Sequence, residues 1–376
     1  MKITPFKSAI PTSAINDLKF RINNTRWPDE IEGSGWEMGT SITYLKELCA
    51  YWADGYSWAE TEAEINAWPN YIAQIDGYQV HFIHIKGKGR TSVPLIITHG
   101  WPGSFLEMMK LIPLLTTDPE FSFDLVIPSI IGFGFSGKAM EPGCSAAAVA
   151  EVWHRLMTGL GYSRYGAQGG DVGAGISSWL ALRHPKSVAG LHLNFIPGSY
   201  KPYLEPGNAL DPEVTAFQQK LSSWLTKEGA YSHLHATKPQ TLAYGLNDSP
   251  VGLCAWILEK FNSWSDNNGK LESVFSKDEL LGNISLYWLT QTLPSSIRIY
   301  HENSKAPMVF SKGDYIGIPV AFAKFPKELP TPPQSYIEKG YNIRQWTEFN
   351  VGGHFAAVEQ PALLSGNITK FFYSIW

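Results

Sequence analysis

A chain of 376 residues exceeds a typical single domain, so a main domain carrying an extension or an insertion is the expected organisation. Its 44% hydrophobic and 17% charged residues can build a sizeable core and exclude a disordered chain. A net charge of −4 with no Lys/Arg cluster argues against nucleic acid and anionic membrane surfaces as partners.

Residues 1–74 read as an amphipathic helical extension. Ile15, Leu18 and Ile22 recur at helical spacing over 14–23, after a Ser/Thr cap, and Thr25-Arg26-Trp27-Pro28-Asp29 breaks that helix. Two more periodic stretches follow at 42–51 and 58–67. Residues 71–75, the Asp76-Gly77 turn and residues 78–85 read as an antiparallel hairpin. Pro94-Leu95-Ile96-Ile97-Thr98 is a continuous apolar run, as expected for a strand buried on both faces. It ends at His99-Gly100-Trp101-Pro102-Gly103-Ser104, and a helix is expected over 105–115. Then come a buried strand at 123–128, a glycine-rich loop at 132–137, a helix at 146–160 and a short run at 163–167. A helix at 174–183 and a strand at 188–195 complete an alternation of strand and helix that predicts an α/β fold with a mainly parallel sheet.

From about residue 199 to 302 the strand signal almost vanishes, and Trp-rich helical segments are expected at 214–225, 239–246, 251–264 and 280–290. Strand signals return at 307–310, 316–325 and 344–349, and a helix at 362–371 closes the chain. The predicted division is therefore an extension (1–74), a core in two parts (75–198 and 304–376) and a helical lid (199–303) at the carboxyl edge of the sheet. Cys49, Cys144 and Cys254 are odd in number and scattered without a CxxC pair, which favours reduced thiols and offers no metal site. The start carries no apolar segment of signal or membrane length, so a cytoplasmic protein is expected.

The stretch Gly169-Gly170-Asp171-Val172-Gly173 carries the chemistry. Small residues surround one nucleophile-capable side chain where a strand turns into a helix, the pattern of a nucleophile elbow. Serine in that place would form an ester with an acyl carbon, whereas a carboxylate forms one with an alkyl carbon. The alternative is a glycine-rich turn whose Asp caps the next helix. His354, in Gly352-Gly353-His354-Phe355 after the last strand, is free to swing towards the carboxyl ends of the sheet. Glu328 follows the strand at 316–325, so Asp171, Glu328 and His354 reproduce the nucleophile–acid–histidine order of α/β-hydrolases. Asp314 is the rival acid, but it lies in the turn before that strand. The backbone N–H groups of Trp101 and Val172 are the expected oxyanion donors.

With these motifs in place, the chain resembles the epoxide hydrolases of the microsomal and juvenile-hormone type, along nearly its whole length. The most specific matches are His99-Gly100-Trp101-Pro102-Gly103-Ser104, the elbow, Leu246-Asn247-Asp248-Ser249-Pro250-Val251-Gly252 and Gly352-Gly353-His354-Phe355-Ala356-Ala357. The resemblance implies an α/β-hydrolase core with Asp171 as nucleophile, His354 as water-activating base and Glu328 as its orienting acid. It also implies two lid tyrosines that bind the epoxide oxygen, at Tyr231 and Tyr300, with Tyr244 a weaker candidate for the first. The implied substrates are a small apolar epoxide and water, with no organic cofactor and no metal. The membrane anchor of some relatives is not expected here, and a homodimer is possible. Detoxification, including catabolism of aromatic hydrocarbons, and a biosynthetic role are equally compatible with these residues. A haloalkane dehalogenase would use a similar set, but Val172 stands where its halide-binding indole is expected. A non-catalytic binding protein of the same fold would have lost part of the set.

Overall fold

Among the described residues, nine strands form one sheet: β1 (Lys2–Phe6), β2 (Asn70–Ile75), β3 (Tyr78–Ile85), β4 (Thr91–Thr98), β5 (Phe121–Pro128), β6 (Tyr165–Gly169), β7 (Val188–Leu193), β8 (Ile316–Lys324) and β9 (Tyr341–Glu348). This computed structural model describes residues 1–205 and 211–376; the stretch 206–210 of the expected lid lies outside the described residues. The strand order is β1-β2-β3-β5-β4-β6-β7-β8-β9. Pairings from β1 to β5 by way of β2 and β3 are antiparallel, and those from β5 through β4, β6, β7 and β8 to β9 are parallel. Every residue of β5 is buried, as is the second half of β4, so these strands need no polar face and read as unbroken apolar runs.

Helices cover both faces. Val149, Val152, Trp153 and Leu156 place one apolar stripe of the helix Ala146–Gly159 against the sheet, and its Trp153 Nε1 donates to Thr98 Oγ1 at 3.0 Å. The extension helices Thr12–Asn23, Ile42–Asp54 and Trp58–Asn66 lie close to the expected ranges. They are tied to the helical stretch between β7 and β8: Trp52 Nε1 donates to Ser285 Oγ at 2.8 Å, and Thr40 Oγ1 to the Ala255 carbonyl at 2.7 Å.

That stretch contains Pro212–Glu228, Ala230–Thr237, Pro239–Leu246, Pro250–Trp264, Lys277–Thr290 and Leu293–Lys305. A capping box of Ser276 and Glu279 starts the Lys277 helix.

Three local expectations differ from the fold. The expected helix at 105–115 is a 3₁₀ segment, Phe105–Lys110, followed by the short helix Leu111–Thr116. No strand forms at 307–310; Val309 makes a single bridge to Lys201. The apolar run there is too short and starts at a proline, which removes a ladder donor. Strand β1 joins the antiparallel edge, where Pro5 is tolerated because only β2 lies beside it.

Besides His354, four histidines are buried among the described residues. Burial pushes His81 and His235 down to about 3, and His99 and His192 down to about 4. Their partners suit neutral rings: His235 Nε2 accepts from Trp256 Nε1 at 3.1 Å, and His99 Nε2 accepts the Ile130 N–H at 3.1 Å. A folded-state pKa below the unfolded value of about 6.5 means that the unfolded chain binds more protons between those limits. The stabilisation from neutral rings is complete above pH 6.5 and is lost as pH falls towards 4. Each ring should therefore remove on the order of 1 kcal/mol per pH unit below about pH 6. Urea titrations at pH 7, 6 and 5 test this, and an unfolding free energy independent of pH would refute it.

Candidate active site

The register of β4 and β6, with Thr98 opposite Gly169, brings the loop after β4 directly against the turn after β6. That turn is the elbow. Asp171 begins the helix Asp171–Arg183 with φ of 46°, a left-handed conformation that strains a non-glycine residue. The two backbones cross with no room for side chains. A Cβ at Gly173 would fall 2.1 Å from the Thr98 carbonyl oxygen, and one at Gly100 would fall 2.2 Å from Asp171 Oδ1.

At that crossing the Trp101 N–H donates to Asp171 Oδ1 at 2.8 Å. Among the described residues, no hydrogen bond joins the Val172 N–H to the same carboxylate. The loop bearing Trp101 is braced from the helix Lys277–Thr290: Asn283 Nδ2 donates to the Pro102 carbonyl at 2.8 Å, and Tyr287 Oη to the Gly103 carbonyl at 2.6 Å. His99 completes the brace, because its Nδ1 lies 3.1 Å from the Gly100 carbonyl.

The acid and the histidine meet through a second backbone contact. After β8 and β9 the strands are prolonged by a lone bridge between Lys327 and Gly353, and the Lys327 N–H donates to the Gly352 carbonyl at 3.1 Å. His354 Nδ1 thereby lies 2.5 Å from Glu328 Oε1, and His354 Nε2 lies 3.5 Å from Asp171 Oδ2. Burial alone would favour the neutral ring, but the Glu328 carboxylate and then Asp171 outweigh it and hold His354 well above its ordinary value. Asp314 is excluded as a partner of this histidine; its carboxylate accepts the Ser311 N–H in the exposed turn before β8.

The helical stretch supplies the phenols. Tyr231 stacks on Trp101, with ring centroids 5.4 Å apart, and Tyr300 meets the same indole edge-on at 6.0 Å. The two phenol rings lie 5.9 Å apart. Burial and the neighbouring Asp171 charge push Tyr231 far above 10, and burial and Tyr231 do the same to Tyr300, so both remain O–H donors. Tyr244 is 73% exposed and lies outside this group.

Asp171, Val172, Tyr231 and Tyr300 line a cavity of about 310 Å³ whose remaining walls include Trp179, Phe195, Leu221, Trp224 and Met308. The arrangement presents a carboxylate on one side of an apolar space and two phenol donors in its wall. Among the described residues, no cluster of His, Cys, Asp and Glu could hold a metal ion. None of the three cysteines is paired. No described helix is long and apolar enough to cross a membrane.

Residues that the sequence motifs did not single out also shape the site. Glu359 Oε1 accepts the Phe355 N–H at 2.9 Å, and its Oε2 accepts the Asp266 N–H at 2.8 Å, tying the histidine loop to the end of the helix Pro250–Trp264. The only sequence signal for it is a carboxylate five residues after His354.

The Gly173 crossing is testable. Replacement of Gly173 by Ala should destabilise the protein by about 1–3 kcal/mol, the usual range for overpacking, because the obstructing atoms are backbone carbonyls. Denaturant unfolding reads this, and native stability in the variant would overturn the close-approach argument.

The chain is similar to known proteins along nearly its whole length. The family described as "Epoxide hydrolase N terminus" matches residues 3–108, and that described as "alpha/beta hydrolase fold" matches residues 93–250. Epoxide hydrolase 1 of Oryctolagus cuniculus is 37% identical over 402 residues, covering 98% of this chain and 88% of that protein. The crystal structure of juvenile hormone epoxide hydrolase from Bombyx mori superposes with a TM-score of 0.89 at 32% identity, covering 100% of this chain and 95% of that one. The Aspergillus niger epoxide hydrolase structure gives 0.88 at 29% identity, covering 100% of this chain and 97% of that one. The chain belongs to the epoxide hydrolase family, hydrolases acting on ether bonds and built here on the α/β-hydrolase fold.

Proposed function

We propose that the protein opens compact apolar epoxides to vicinal diols through an alkyl ester on Asp171. The observation that carries this reading is the placement of Asp171 between the Trp101 N–H, the His354 ring and an apolar cavity walled by Tyr231 and Tyr300. An epoxide oxygen leaves as an alkoxide, so ring opening needs a donor at that oxygen. Phenols held protonated by burial donate without competing as nucleophiles. Asp171 attacks the ring carbon from the face opposite the breaking C–O bond, and the proton from a tyrosine goes to the departing oxygen.

Ester formation has an electrostatic consequence for the second step. In the free protein both Glu328 and Asp171 raise the His354 pKa. Esterification removes the Asp171 charge and with it one of the two influences that favour imidazolium. The ring thus becomes a better base when a base is required. His354 then takes a proton from water, the hydroxide adds to the Asp171 carbonyl carbon, and the Trp101 and Val172 N–H groups receive the oxyanion.

A cavity of about 310 Å³ lies at the lower end of the range for small-molecule sites, which supports compact substrates such as styrene-oxide-like rings. Such substrates suit a role in detoxification and in the breakdown of aromatic hydrocarbons. Three buried, unpaired cysteines support residence in the reducing cytoplasm.

The test uses styrene oxide as the probe. Asp171→Ala should abolish diol formation. Tyr300→Phe should slow ring opening about 10²–10³-fold without abolishing it, as for loss of one transition-state donor. His354→Gln should trap the ester, visible by mass spectrometry as a substrate adduct on the peptide containing Asp171. Undiminished turnover by Asp171→Ala would refute the route.

A further inference from the structure

Asp171 separates two cavities of different size. The apolar space of about 310 Å³ lies on one side, and on the other a cell of about 20 Å³ is lined by His354, Gly100, Gln168, Asn194 and Glu107. Among the described residues, none other than Asp171 lines both. A cell of that volume admits a water molecule and excludes an epoxide. Its wall is polar and under-satisfied: Gln168 is 1% exposed, its Nε2 donates to Asn194 Oδ1 at 3.0 Å, and its Oε1 has no partner among the described residues. A buried amide oxygen in that state calls for a donor in the cell.

Glu107 closes the far side. Among the described residues it alone is shared between this cell and a third space, a cleft of about 660 Å³ between the extension helices and the helix Lys277–Thr290. The cleft carries an under-satisfied amide as well, since the Oδ1 of buried Asn283 has no partner among the described residues. Apolar cavity, Asp171, water-sized cell, Glu107 and cleft therefore stand in series. The Glu107 carboxylate folds back over the loop that carries Trp101: a Cβ added to Gly103 would fall 1.0 Å from Glu107 Oε1.

We propose that Glu107 holds and orients the water that hydrolyses the Asp171 ester, within this cell and on the face of Asp171 away from the substrate cavity. The inference rests on the ester route proposed above. The water oxygen bonds to the Asp171 Cγ, one of its protons passes to His354 Nε2, and its second O–H is held by Glu107. The tetrahedral carbon then expels the alkyl oxygen, which takes the proton from His354 and leaves as the diol. The water oxygen stays in Asp171 as a carboxylic acid, and its remaining proton returns to the tyrosinate left by ring opening, restoring both the Asp171 carboxylate and the phenol. Burial pushes the Glu107 carboxyl up to about 8, with His354 opposing and Asp171 adding to that rise. Near neutral pH the group can therefore donate to the cell as well as accept from it.

Rapid mixing with styrene oxide, followed by tryptophan fluorescence and quenched-flow mass spectrometry, separates ester formation from ester hydrolysis. In Glu107→Gln and in Glu107→Ala, ester formation should stay within about twofold of the parent, whereas hydrolysis should slow about tenfold or more, as when a hydrogen bond that orients the reacting water is lost. Unchanged hydrolysis in both variants, or equal slowing of both steps, would overturn the assignment. Absence of any Asp171 adduct in the parent protein and in His354→Gln would overturn the ester route and, with it, the role of Glu107. Native hydrolysis in Glu107→Gln with a normal adduct would overturn the role alone.

Discussion

The contact on which the site depends is the crossing of two backbones, the loop after β4 and the turn after β6. Neighbouring parallel strands already place Thr98 beside Gly169. Glycine at 100 and 173 then lets the chains approach within reach of a single hydrogen bond, from the Trp101 N–H to Asp171 Oδ1. A Cβ at either position would occupy space held by backbone or by the carboxylate itself. The left-handed conformation of Asp171 is the strained part of this arrangement, and the packed sheet beneath it keeps that conformation in place.

Charge is handled in the same economical way. Asp171, Glu328 and His354 bring two carboxylates and one imidazole into a largely buried region, where an unpaired charge is expensive. A protonated ring between the two acids leaves one net negative charge, and the Trp101 N–H faces it. Glu328 Oε1 is further satisfied by the Leu329 N–H at 2.7 Å. The phenols on the opposite wall add no charge. The electrostatic contrast across the cavity is therefore one anion facing two neutral donors, which suits a neutral substrate whose leaving oxygen becomes negative.

Much of the sheet and of this gathering was legible in the sequence, for identifiable reasons. Strands β4 and β5 are buried on both faces, so they stand out as apolar runs between turns. Asp171, Glu328 and His354 each follow a strand at its carboxyl end, and chain order was enough to bring them together. Other features had no local signature. Residues 2–6 are mostly exposed and contain a proline, so the edge strand they form is visible only once β2 is beside it. Met308-Val309-Phe310 has the composition of a strand, yet Met308 and Phe310 are buried beneath other elements and only Val309 finds a bridge. Tyr231 and Tyr300 sit on helices with mixed, polar-rich surfaces, and only likeness to a family pointed to them. Glu107 reads as one surface carboxylate among many, because its place between the small cell and the cleft is encoded by no local pattern.

The joint between the histidine loop and the helix Pro250–Trp264 has an evolutionary side. The His354 N–H donates to the Trp264 carbonyl at 2.9 Å, the Gly352 N–H donates to Asp266 Oδ2 at 2.9 Å, and Glu359 clasps both segments. The Trp264 ring, its centroid 5.1 Å from Tyr231 and 5.1 Å from His354, touches a tyrosine of the pocket wall and the imidazole at once. Selection for a differently shaped pocket therefore cannot reshape this helix freely, since drift at its end shifts the imidazole. A chimaera that borrows the helices between β7 and β8 from a relative would have to bring the matching residues 352–359 with them. Diversification of this scaffold is channelled away from that joint, towards walls such as Leu221 and Trp224, which among the described residues carry no such tether to the His354 loop.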